Sequence, residues 1–172
     1  MWSEERNSGT LELLLTLPIS KIEIILGKFL AAWLFAALAL ILTFPLWISV
    51  NYLGDPDNGV IFASYIGSWL MAGGFLSIGS CMSALTRSQV VAFVLCGFIT
   101  LLFVMAGFPL VLDVFRGWVP LLILDAITSL SFLTHYNSIT KGVLSLNDFL
   151  YFISIIVAWL FATAIAIESK KS

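Results

Sequence analysis

Side chains able to do chemistry are scarce in this chain and are not arranged for it. There is one histidine, His135, so histidine-based metal cages and catalytic triads lack parts. Cys81 and Cys96 fall inside apolar runs and read as reduced packing residues rather than a disulfide. Gly27-Lys28 matches the end of a phosphate-binding loop, but Ile22 stands at the place of its first glycine. Phe29 follows in place of serine or threonine, so the match is accidental. Asp113, Arg116, Asp125 and His135 gather in one stretch, which reads either as a gate or cargo contact or as a solvated loop. No catalytic residue, metal site or cofactor of the chain's own is expected.

The elements that hold these residues are apolar. Of 172 residues, 60% are hydrophobic and 10% are charged, against about 25% charged in ordinary soluble domains. A chain this short cannot bury so much apolar surface in an aqueous core, so lipid is the expected partner. The net charge of −2 argues against nucleic acid, which calls for a basic face. Four stretches lack any charge and approach the ~20 residues a membrane helix needs: 29–53, 60–86, 88–112 and 149–167. In lipid such runs must be helical, because strands would leave backbone groups unpaired. The fold class predicted is therefore all-α, a polytopic transmembrane helix bundle with four spans. Residues 54–59 (Gly-Asp-Pro-Asp-Asn-Gly) form a turn. In segment 113–148, Asp125 would be costly at mid-bilayer, so short helices on the outer surface or dipping part-way in are expected there.

Basic residues set the orientation. Arg6, Lys21, Lys28, Arg87, Lys170 and Lys171 fall on one side of a four-span arrangement, and Arg116 and Lys141 on the other. Both termini are thus predicted in the cytoplasm, in a multi-pass protein of the cell (inner) membrane.

The first 27 residues behave differently. Leu11, Leu14 and Leu15 share a helical face, and Pro18 ends the run. Two turns of helix are too short to stand alone in water, so this piece must dock on something or float among lipid headgroups. Ser20 and Glu23 make a capping box that restarts a helix into the first span, and Lys28 is expected to reach the interface with its stem in the apolar layer.

The run Glu4-Glu5-Arg6-Asn7-Ser8-Gly9-Thr10-Leu11-Glu12-Leu13-Leu14-Leu15-Thr16-Leu17-Pro18, with Glu23 and Leu26-Gly27-Lys28-Phe29, resembles the hallmark of type-2 ATP-binding-cassette export permeases. A second match comprises His135-Tyr136-Asn137-Ser138, Lys141-Gly142-Val143 and Asp148-Phe149-Leu150-Tyr151-Phe152. It is similar to the segment leading into the last span of the gliding-motility and copper-enzyme-maturation branch. The resemblance implies an amphipathic cytoplasmic coupling helix that enters a groove on a separate ATPase subunit. Glu4, Glu5, Arg6, Gly9, Thr10, Glu12, Leu13 and Leu14 would be its contact or positioning residues. The leucines could instead pack on this chain's own spans. ATP and Mg would be bound by the partner ATPase, and a second permease copy or paralogue would complete a dimer. Family members usually carry two further spans ahead of the coupling helix, so the resemblance implies either a truncated or split permease or a start that lies further upstream.

Within the spans, Gly73, Ser77 and Cys81 recur every four residues and read as a helix-packing stripe. Pro45 and Pro109 read as hinges or as fixed bends. The function expected is a permease subunit of an ATP-driven exporter; the alternative is a non-transporting membrane scaffold that assembles other subunits.

Overall fold

The computed structural model describes residues 2–10, 20–115, 120–142 and 145–169. All regular structure among the described residues is helical: α1 (Trp2–Asn7), α2 (Lys21–Leu42), α3 (Phe44–Leu53), α4 (Asn58–Leu85), α5 (Gln89–Met105), α6 (Pro109–Phe115), α7 (Leu121–Ser129), α8 (Phe132–Thr140) and α9 (Leu146–Ser169). The protein is an all-α transmembrane bundle. Lys21–Leu53, Asn58–Leu85 and Leu146–Ser169 are each long and apolar enough to cross a membrane.

α4 is the axis of the bundle. It lies against α9, α5, α8 and α2, and it can do so because most of its inward residues are small: beside Leu70, Ile78 and Met82, the buried residues are Ala63, Gly67, Gly73, Gly74, Ser77, Ser80, Cys81, Ser83 and Ala84. Large side chains on the neighbours fill the space, with Phe132 and Phe152 fully buried and stacked at 5.8 Å between ring centroids. The rim of the bundle is apolar as well. Phe35 on α2, Phe93 on α5 and Phe161 on α9 are 72%, 79% and 68% exposed, an arrangement that suits a hydrocarbon surround and not water.

Polar groups in the apolar layer are satisfied internally, as a solvent without hydrogen bonds requires. Trp33 on α2 and Trp69 on α4 stack at 4.2 Å. Each indole N–H donates to the other residue's carbonyl oxygen, at 2.9 Å from Trp33 and 3.2 Å from Trp69.

The first apolar run is divided. α2 ends at Thr43, whose hydroxyl donates to the Leu40 carbonyl at 2.6 Å and meets the Tyr65 hydroxyl at 2.8 Å. Pro45 then falls in the first turn of α3, where its missing N–H costs nothing. The run 88–112 is divided too. α5 stops at Met105, the chain turns through Gly107, and α6 starts on Pro109. Proline forbids continuation of the preceding helix, so the uninterrupted run of apolar residues does not become one helix.

The stretch 113–148 holds short helices, as expected, and of the two placements considered α8 takes the inner one: Phe132 and Ile139 are buried in the core beside Leu70, Ile78 and Phe152. The run's one mid-segment charge, Asp125, sits on the neighbouring helix α7 and is exposed. α8 can therefore enter the bundle without burying that carboxylate.

Candidate functional site

The chain's two ends converge at one end of the bundle. Lys21 at the start of α2 pairs with Glu168 near the end of α9 at 3.1 Å. α1 is docked at this same end. Trp2 is 3% exposed and packs with Ile25, Phe29, Ala84, Leu160 and Ile167. Its indole N–H donates to the Ser80 hydroxyl at 3.0 Å, and the Ser3 backbone N–H donates to the Ser83 hydroxyl at 3.0 Å. Lys28 is paired with Glu5, and its ammonium lies 4.2 Å from the centre of the Trp2 ring. The cation is thus held by a carboxylate and an aromatic face rather than extended into the interface. These contacts clamp α1 to α2 and to the end of α4.

The local sequence explains how α1 stops. Ser8 N–H donates to the Glu4 carbonyl at 3.0 Å, and the Ser8 and Thr10 hydroxyls both donate to the Glu5 carbonyl, at 3.2 Å and 3.3 Å. Gly9 then takes φ 71, a left-handed turn that favours glycine. At the start of α2, Ser20 and Glu23 form the capping box. Glu23 N–H donates to the Ser20 hydroxyl at 3.3 Å, and Ser20 N–H donates to the Glu23 carboxylate at 3.0 Å. The sites nominated from sequence are thus distributed. Glu4, Gly9 and Thr10 are exposed, Glu5 is turned inward to Lys28, and Arg6 belongs to α1. Glu12, Leu13 and Leu14 lie outside the described residues.

Gly73, Ser77 and Cys81 line the buried side of α4. A side-chain carbon on Gly73 would come within 2.8 Å of the Trp33 indole and 2.9 Å of Ile156. Ser77 and Thr163 on α9 are both fully buried, each donating to a carbonyl of its own helix at 2.7 Å and 2.8 Å. At Gly73 the stripe meets both α2, through Trp33, and α9, through Ile156. Pro45 and Pro109 both sit just after breaks, at the starts of α3 and α6.

A second polar cluster lies at the opposite end of the bundle. His135 on α8 places Nδ1 2.6 Å from Asp148 Oδ1 and Nε2 2.9 Å from the Ser129 carbonyl. Its ring stacks on Tyr151 at 3.9 Å, and the Tyr151 hydroxyl donates to the Leu130 carbonyl. Asp148 is 6% exposed and accepts from the Ser145 hydroxyl at 2.8 Å. Among the described residues grouped from sequence, His135 belongs to this cluster, while Asp125 and Asp113 are exposed on other helices; Arg116 lies outside the described residues. Sequence reasoning did not single out Asp148, Ser145, Trp2 or Ser3. The one signal linking His135 with Asp148 was their presence in the same family-like motif. Trp2 and Ser3 carry no periodic signal. No group of three or more metal-ligating side chains occurs among the described residues.

A helical bundle with an apolar rim and helices long enough to cross a membrane is the architecture of a polytopic membrane protein. The chain belongs to the ABC-2 transporter permease family: its sequence matches the family described as "ABC-2 family transporter protein" over residues 1–169. A comparison with curated proteins returns no match. Membership makes it a membrane subunit of an ABC-type transporter. Such subunits are normally non-catalytic and generally work with a cytoplasmic ATPase subunit.

Proposed function

We propose that this chain is the permease subunit of an ATP-driven exporter, and that it receives work from a partner ATPase through its amino-terminal segment. The observation that carries this reading is the clamp on α1. Trp2, Ser3 and Glu5 bind α1 to α2 and α4, and Ser20 starts α2 with a fixed cap. The described residues on either side of the proposed coupling segment thus belong to one packed body. On this reading work delivered there passes to α2, α4 and, through the apolar cluster that Trp2 shares with Leu160 and Ile167, to α9.

On this reading ATP and Mg are bound by the partner, both termini face the cytoplasm, and the bundle sits in the inner membrane beside a second permease. Glu4 and Arg6 meet charges on the ATPase, and Leu13 and Leu14 fill its groove. Gly9 and Thr10 aim the segment. Pro45 and Pro109 act as hinges. The test is co-purification with the ATPase. Glu12→Lys or Leu14→Asp is expected to reduce ATPase recovery at least about tenfold, as burying an unpaired charge in an apolar groove does, with permease yield unchanged. Full recovery with both variants overturns the coupling role. ATPase turnover in the reconstituted complex separates a permease from a scaffold, because a scaffold assembles the complex without stimulating hydrolysis.

A further inference from the structure

We propose that α3 is a hinged strap on the lipid-facing side of the bundle, held shut against the start of α4 by an uncharged clasp centred on the Asn58 side chain. The two halves of the first apolar run are held very differently. α2 buries Ile25 and Phe29 and is tied to α4 by the paired Trp33 and Trp69. Among the described residues, none of those on α3 is buried. Leu46, Ile48, Tyr52 and Leu53 are all exposed.

α3 meets α4 through one of its faces. The Trp47 ring lies on Tyr65 with 5.8 Å between centroids, and its indole N–H donates to the Asn58 side-chain oxygen at 2.6 Å. Asn51, one turn further along, donates to that same oxygen at 3.0 Å, and the Asn58 amide donates back to Asn51 at 3.1 Å. Three hydrogen bonds between the helices thus converge on one side chain. Asn58 opens α4, and its backbone is fixed by the cap: the Asp57 carboxylate accepts from the N–H groups of Gly59 and Val60 at 2.9 Å and 3.4 Å.

Both ends of α3 can give. Pro45 has no N–H to continue the ladder from α2. The junction is crossed by shorter-range bonds, from Thr43 N–H to the Leu40 carbonyl at 3.0 Å and from Leu46 N–H to the Thr43 carbonyl at 2.9 Å. At the far end residues 54–57 separate α3 from α4, and four residues extend to about 13 Å. Opening is also cheap. Asn51 and Asn58 are exposed, so their amides exchange each other for water or headgroups, a nearly balanced trade. The apolar side chains of α3 stay in lipid, whose tails are as apolar as they are. An element closed in this way opens far more readily than the whole bundle unfolds. Opening slides Trp47 off Tyr65 and parts α3 from α4 at the end of the bundle opposite α1.

The length of the arm sets the signal. Ten residues at ~1.5 Å each make about 15 Å, so a tilt of about 20°, the size of a proline kink, moves the tip about 5 Å. The full chain is reconstituted in phospholipid bilayers in a Cys96→Ser background. Spin labels on Leu53→Cys and Phe161→Cys report the tip of α3 against α9, and labels on Leu38→Cys and Phe161→Cys report α2; all three positions are exposed. Asn58→Ala is expected to shift or broaden the Leu53–Phe161 distance by at least about 5 Å and to leave Leu38–Phe161 unchanged. An unchanged Leu53 distance, or an equal change in both pairs, overturns the strap. Trp47→Phe keeps the ring on Tyr65 and removes one bond, so it should move the tip less than Asn58→Ala does. A larger movement overturns the central place of Asn58. Should Asn58→Ala fail to fold, Asn51→Ala is read in its stead, with the same expected shift and the same overturning result. No ATPase is present in these samples, so the outcome is independent of the coupling role.

Discussion

Trp2 places a large ring where its area, its N–H and its face are all used: packing with Ile25 and Leu160, a bond to Ser80, and a seat for Lys28. Trp2→Ala therefore leaves a cavity and an unpaired buried hydroxyl, at a cost of about 3 kcal/mol. The expected outcome is rapid proteolysis of residues 2–10 with the spans intact, read by mass spectrometry of limited digests. Gly73 is the converse case. Gly73→Leu forces Trp33 and Ile156 apart, and should cost about 1–3 kcal/mol, seen as a lowered melting temperature in detergent. Gly97 meets nothing within 4 Å, so Gly97→Ala should hold or raise that temperature, by up to ~1 kcal/mol of helix propensity. Unequal responses of two glycines in apolar helices are legible only from what lies opposite each. The spacing of Gly73, Ser77 and Cys81 pointed to close approach, but the partners Trp33 and Ile156 come from residues 40 or more positions away, beyond any local pattern.

Among the elements, the breaks at Thr43 and Gly107 matter most. Hydropathy alone joins α2 to α3 and α5 to α6, because the residues at the breaks are apolar or small. Proline marked both places, yet it could not say whether the chain bends or stops. Thr43 decides the first case by tying the turn to Leu40 and Tyr65. If the break acts as a hinge, Pro45→Ala should lower ATPase turnover in the reconstituted complex several-fold while leaving thermal stability within about 1 kcal/mol; an unchanged turnover identifies a fixed bend. α8 shows why the stretch 113–148 was hardest to read. Its buried face consists of two well-separated residues, Phe132 and Ile139, and its polar face holds His135. A nine-residue helix of this composition has the same pattern whether it lies on lipid or fills a gap between helices.

For the whole molecule, the pair Lys21–Glu168 brings the start of α2 and the end of α9 to one end of the bundle. On the proposed orientation, taken from the basic residues, that end faces the cytoplasm. Accessibility of introduced thiols checks this directly. Asp55→Cys, in the turn between α3 and α4, should react with an impermeant maleimide on intact cells. Ser8→Cys should react only after permeabilisation, and labelling of Ser8→Cys in intact cells would reverse the orientation. The native Cys81 is buried and Cys96 partly so, and a Cys96→Ser background removes the more accessible thiol.

By itself the sequence determined the solvent, the all-helical class and the family. Each of these depends on composition, on local periodicity or on a contiguous motif, and none requires knowledge of what lies across the bundle. The tertiary structure alone decided that α1 is clamped by Trp2 and Ser3, that Lys28 is held by Glu5, that α8 fills the core, and that His135 meets Asp148 with both of its nitrogens engaged. Those pairings join residues on different helices, and their energies come from burial and from groups that lipid leaves no other way to satisfy.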